Sequence, residues 1–280
     1  MSTEGPLSDV KTGVEVVAAL MKTAGDHPDV KEAGANLAKT ALTITRTINV
    51  ALLPLAAMNF GVEKAKKYFE EHFSNDLLSV ASSIPAEEII EPRASLVGPA
   101  LQALAFAHDE PDLKAMYLNL MATSMASSKA SLAHPAFVEI IRQLSPDEAS
   151  VLRNLLQGEV PYAAVELRQR QVPVGHRVLL SHLISFTHTE TGTPAELADH
   201  AAMVDNWTRL GLFEVEYDHI FLTDPNAYSW VKTRPEYLRL KAQCEAAGKA
   251  IDFGKGLIRR TAFGRQFAKA VGIEVEAAAL

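Results

Sequence analysis

Apolar residues recur at helical spacing through the first half of the chain. Val10, Val14, Val17 and Met21 share one face, with Ser8 or Asp9 as cap and Gly25 as stop. Asp26-His27-Pro28 opens a longer helix striped by Val30, Ala33, Leu37, Ala41, Ile44, Ile48 and Leu52. That stripe merges into the most apolar run of the chain, residues 41–62. Its length permits a membrane span. Arg46, Asn49, Pro54 and Asn59 oppose one, because each places a polar group or a broken backbone bond in lipid. A buried helix pair kinked at Pro54 is the expectation, with an interfacial or membrane-inserting segment as the alternative. Residues 63–71 then place Lys and Glu one turn apart, the pattern of a solvated helix face.

A short helix is expected over 75–84, and a further one is capped by Ser95 and carried by Leu101, Leu104 and Phe106. Residues 108–152 hold the densest helix punctuation. Asp109 stands before Glu110-Pro111, His134 before Pro135 and Ser145 before Pro146, and proline in a first turn has no N–H to lose. Ser145 and Glu148 have the spacing of a capping box. Leu113, Met116, Leu120 and Met125 read as core. Three short, tightly joined helices follow from this pattern.

After Gly158 the periodicity changes. Residues 161–174 look irregular and polar, with a short strand near Val172, and mark a domain boundary. Residues 177–186 read as a helix, and Thr193-Pro194-Ala195-Glu196 as a capping box whose helix ends at Gly211. A hairpin is expected from 212–217, through Asp218-His219, to 220–222. A helical excursion covers 226–247. A second strand pair, 250–253 and 257–259, turns around Gly254-Lys255-Gly256. Thr261 caps a last helix with Phe263, Phe267 and Val271 inward. The predicted fold is mainly α: a helical bundle over 1–158, with a capped short-helix core at 95–156. A small α+β winged-helix-like module with short hairpins follows over 159–276, with an inserted helical segment at about 225–248. Residues 277–280 read as a vector scar.

The formal net charge of −7 conceals an asymmetry. Residues 225–280 carry ten Lys/Arg and five Asp/Glu, a net of +5, which leaves −12 on the rest. An acidic body repels nucleic acid and anionic lipid, whereas a basic end attracts either. Lys255, Arg259, Arg260, Arg265 and Lys269 are the candidate anion or nucleic-acid contacts. The simpler reading is an electrostatic contact within the protein or a dimer, because +5 is modest for a nucleic-acid binder. The helix expected over 194–210 carries Glu196, Asp199 and Asp205 against Arg209, so it does not suit base reading and nucleic acid is not the expected partner. Lone Cys244 rules out an intrachain disulfide and a cysteine-based zinc site. The chain start has no basic n-region or apolar h-region, so a cytoplasmic protein is expected, peripheral at the membrane on infection under the alternative reading.

The sequence holds no arrangement of residues that performs a known reaction. None of the nine histidines forms H-E-x-x-H. His108-Asp109-Glu110 is the one tight polar trio, and Asp109 is better used as a helix cap. His176, His182 and His188 recur every six residues and fall on different faces of a helix. Nucleophile-elbow, P-loop and Rossmann patterns are absent. The glycines of Phe253-Gly254-Lys255-Gly256 suit a turn. No catalytic residue, metal ligand or cofactor is assigned, and the chain is not expected to be an enzyme. Exposed polar residues of the central stretch, Asn119, Ser124, Ser128 and Lys129, are the candidate interaction surface.

Three segments carry a resemblance to a known family. They are INVALLPLAAMNFGVEKAKKYF over 48–69, MYLNLMATSM with HPAFVEIIRQLSPDEASVL in the central stretch, and VDNWTRLGLF over 204–213 with TAFGRQF over 261–267. Together they resemble the bacterial Abi-alpha (abortive infection alpha) family, a domain of unknown function linked to phage defence. Trp207 stands where that pattern has an aliphatic residue, and Arg260 where it has a leucine. The resemblance implies a defence role and brings no catalytic residues with it. The expected function is therefore abortive infection through protein–protein contacts, as sensor, scaffold or effector component. Expected partners are further copies of the chain, a second defence protein or a phage component. A membrane-perturbing effector using 41–62 and a nucleic-acid-binding regulator using the basic end are the alternatives.

Overall fold

Proline-marked starts and apolar stripes build a helical unit and a sheet-containing unit along this chain. The computed structural model describes residues 62–158, 161–170, 174–188 and 191–273. The helices expected before residue 62, nearly all of the apolar run 41–62, the strand near Val172 and the scar at 277–280 lie outside the described residues. Contacts divide the chain into one unit of Met1–Gln157 with Gln266–Leu280, and a second of Gly158–Arg265.

The first unit contains α1 (Val62–Glu71), α2 (Phe73–Ala81), α3 (Ala94–Ala107), α4 (Pro111–Met125), α5 (Ala136–Arg142) and α6 (Pro146–Gln157). On α1 the expected one-turn pairs form, Lys66 with Glu70 and Lys67 with Glu71. Helix α4 is the centre of the unit. Leu113, Met116, Tyr117, Leu118, Leu120, Met121 and Met125 are all buried, so it is covered on nearly every side. The capping box before α6 forms in both directions. Ser145 N donates to Glu148 Oε2 at 2.9 Å, and Glu148 N donates to Ser145 Oγ at 3.1 Å. Two expected caps are not used. Helix α3 already begins at Ala94, so Ser95 sits inside its first turn. Glu110, not Asp109, takes the cap position of α4.

The second unit is α+β: β1 (Tyr162–Arg170), β2 (His176–Ile184), α7 (His200–Arg209), β3 (Phe213–Tyr217), α8 (Pro235–Ala246) and β4 (Ile251–Arg260), followed by α9 (Ala262–Ala270). The strands form one antiparallel sheet in the order β2-β1-β4-β3. Val165, Leu167 and Leu183 pack with Tyr228, Val231 and Tyr237 as its core. Helix α9 starts in this unit, and from Gln266 onward its residues belong to the first, where Phe267 meets Phe137 edge-on at 5.3 Å.

Four sequence expectations are corrected here. Residues 177–184 belong to strand β2, and 185–186 follow it outside any helix, so the expected helix does not form. The irregular polar stretch 161–174 holds strand β1, whose inward residues Val165 and Leu167 alternate with Glu166 and Arg168. The helix expected from Pro194 begins only at His200. The two hairpins do not form: 250–253 and 257–259 are parts of the continuous strand β4, which pairs with β1 and β3, and 220–222 is not a strand.

Candidate functional site

The end of α4 is the part of the first unit where side chains singled out from sequence come together. The chain leaves α4 at Ala126 in extended conformation and pairs with the segment before α3. Ile90 N donates to Met125 O at 2.8 Å, and Ser127 N donates to Glu88 O at 2.8 Å. This fixes Glu88 beside Ser128, whose hydroxyl donates to the Glu88 carboxylate. Helix α9 closes the other side. Thr123 Oγ1 donates to Ala270 O at 2.9 Å, and Gln266 Nε2 to Leu132 O at 3.1 Å.

The result is a cleft of about 320 Å³ whose polar lining includes Glu88, Asn119, Ser128, Lys129 and Lys269. Gly272 shapes it. Its φ of +69° is left-handed, and a β-carbon there would stand 2.7 Å from the Asn119 side-chain amide. Asn119 in turn donates to Ala115 O at 2.8 Å, which holds its amide at the wall. Two ammonium groups, one carboxylate, one amide and hydroxyls make a surface that complements a charged or hydrogen-bonding group of a partner.

Three of the four candidate interaction residues, Asn119, Ser128 and Lys129, thus share this cleft with Lys269, which was assigned to the basic end. Ser124 does not join them. It is buried, 6% exposed, and its hydroxyl donates back to Met121 O at 2.6 Å. The remaining basic candidates belong to the second unit. Lys255 lies 5.3 Å from the Tyr228 ring centroid and 5.9 Å from that of Phe221. Arg259 Nε donates to Glu214 Oε1 at 2.6 Å, and this bond holds its guanidinium above its usual range. Arg260 ends β4, and Arg265 donates to its carbonyl at 3.0 Å.

Other polar constellations form that sequence spacing does not reveal. In the first unit Tyr68 donates to Asp76 at 3.1 Å, Lys114 donates to the same carboxylate at 3.0 Å, and His108 stacks on the Tyr68 ring at 4.9 Å. Burial, then the charge of Asp76, pushes the Tyr68 hydroxyl well above its normal range. The only trace in sequence is the trio His108-Asp109-Glu110, whose Asp109 lies 3.7 Å from Lys64. In the second unit His182 occupies a left-handed backbone conformation (φ +58°) and places its ring between Tyr217 Oη, 2.9 Å away, and Asp205 Oδ1, 3.1 Å away. Arg168 is bracketed by Glu166 and Asp218. His176, His182 and His188 lie on β2 and the loop after it. Among the described residues no group of His, Cys, Asp and Glu is arranged to hold a metal ion.

Comparison with known proteins identifies a family model described as abortive infection alpha, which matches residues 63–271. That match includes every side chain lining the cleft from Val80 to Lys269. No curated protein and no solved structure matches the chain.

Proposed function

Because the chain belongs to the abortive infection alpha family, we propose that it serves phage defence by protein contact at the cleft between Glu88, Asn119, Ser128, Lys129 and Lys269. The observation that carries this reading is the convergence of these side chains, distant in sequence, on one open cleft. The pinned strand-like pairing at Glu88 and Ser127, and the tight seat of Asn119 on Gly272, supply a preorganised rim, which lowers the entropy lost on binding. The lysines attract an acidic loop and Glu88 gives it register. No helix among the described residues is long and apolar enough to cross a membrane. In the second unit Arg259 pairs with Glu214 and Lys255 lies over aromatic rings, which makes these two candidates less available to a phosphate backbone.

The test is phage plating on cells carrying the wild-type chain or Lys129→Glu with Lys269→Glu. Loss of protection by a variant that folds and accumulates normally is the expected outcome. Full protection by that variant would remove the cleft from the account.

A further inference from the structure

Where α3, α4 and α5 meet, the first unit carries an apolar groove of about 590 Å³ that shares no lining residue with the polar cleft. Leu113, Tyr117, Ile141 and Leu144 line it. Phe106, from the last turn of α3, lines it too and is 58% exposed. No other large hydrophobic side chain is so exposed among the described residues of this unit. An apolar cavity of about 150 Å³ already takes a benzene ring, so the groove has room for a phenyl group. One patch therefore presents both an aromatic knob and a hole that fits one.

The charged residues of the groove repeat that relationship. Glu110, in the turn between α3 and α4, makes no side-chain bond to the helix it caps, and its carboxylate has no partner among the described residues. Arg142 ends α5, and its ion pair among the described residues is a 3.3 Å contact of one amino group with Glu139 of the same helix. The other N–H donors of the guanidinium fork are left over. An acid and a base from different elements thus stand on the same patch as the knob and the hole. No lysine lines it, in keeping with the centres of protein interfaces, where aromatic residues and arginine are enriched and lysine is depleted.

An isologous contact needs a patch that is complementary to itself, because a two-fold axis sets each feature of one copy against its opposite in the other. This patch meets that need in shape and in charge. A partner surface of one sign would satisfy either Glu110 or Arg142 and repel the other. We propose that two copies of the chain associate through this groove: Phe106 of each copy enters the groove of the other, and Glu110 of each copy meets Arg142 of the other. This goes beyond the defence contact, which uses the polar cleft.

Sedimentation of the full-length chain over a range of concentrations tests this. The wild type is expected to form a dimer as concentration rises. Phe106→Asp replaces a side chain that is largely in solvent, so the chain should keep its circular dichroism and melting temperature while its dimer dissociation constant rises at least about thirtyfold, the loss of one interface hot spot. Glu110→Arg and Arg142→Glu, studied singly, should each weaken the dimer, because each sets like charges against one another twice. Mixing the two variants should restore it, since in the mixed dimer both pairs are again of opposite sign. A chain that stays monomeric at its highest soluble concentration would overturn the proposal. So would a dimer indifferent to Phe106→Asp, or a mixture of the two charge variants no more dimeric than either alone, which would give the groove to another occupant.

Discussion

The guanidinium of Arg168 lies across Gly254: a β-carbon at Gly254 would stand 2.2 Å from Arg168 Cζ. Two residues on, a β-carbon at Gly256 would stand 2.2 Å from the backbone carbonyl oxygen of Glu216. Both glycines of the Phe253-Gly254-Lys255-Gly256 stretch therefore serve close packing within a strand. The obstacles differ in kind, since an arginine tip can move and a paired backbone cannot. Gly254→Ala should cost about 1 kcal/mol and Gly256→Ala about 3 kcal/mol, within the usual range for overpacking. Urea unfolding compares them. Equal costs would mean that the Arg168 network is as immovable as the sheet backbone.

Asp218 receives two 2.8 Å hydrogen bonds from Arg168, and these hold its carboxyl below the usual carboxylate range. A carboxyl depressed in the folded state stabilises the fold above its unfolded pKa of about 3.9, and that contribution disappears as pH falls through the lower folded value. The difference in Tm between wild type and Asp218→Asn should therefore be constant near neutrality and close below about pH 4. A difference that widened on acidification would contradict the assigned direction.

Arg234 and Glu236 form an almost fully buried pair, with side chains 2% and 4% exposed. Arg234 also donates to Phe186 O at 2.6 Å and Ala195 O at 2.7 Å, tying the loop before α7 to the start of α8. Removing one member leaves an uncompensated buried charge. Glu236→Gln should destabilise the second unit by about 3 kcal/mol, read as a shift in its unfolding midpoint. A loss below about 1 kcal/mol would show that the two carbonyls alone satisfy the guanidinium.

The reciprocal bonds between Ser145 and Glu148 satisfy donors at the start of α6. Ser145→Ala should cost about 1 kcal/mol by thermal or chemical unfolding. Glu148→Ala should cost less, because the Ser145 bond to the helix N–H survives. The reverse ranking would place the cap on the carboxylate.

The helical unit was legible because its signals are local: prolines in first turns, a capping box, and methionines and leucines at one helical spacing. The sheet was not, and β2 shows why. Its pairing with β1 slips between Leu180 opposite Leu167 and Leu183 opposite Val165, the register shift that contains left-handed His182. That bulge turns the two-residue spacing of a strand into three, and three is the spacing of a helix. In β4 the glycines imitate a turn, while the reason for them, Arg168 and Glu216, lies far away in sequence. The cleft was visible only in parts. Asn119, Ser128 and Lys129 stood out as polar residues of the central stretch, but Glu88 and Gly272 join them through tertiary pairing that no local spacing encodes.

On the proposed function, a partner protein meets the cleft during infection. A photocrosslinking amino acid at Ser83, an exposed residue lining that cleft, tests it in infected cells. The expected result is a protein adduct that forms on infection and is lost when Lys129→Glu and Lys269→Glu are added. Undiminished phage protection with no protein adduct at Ser83, or an adduct indifferent to both lysines, would contradict it.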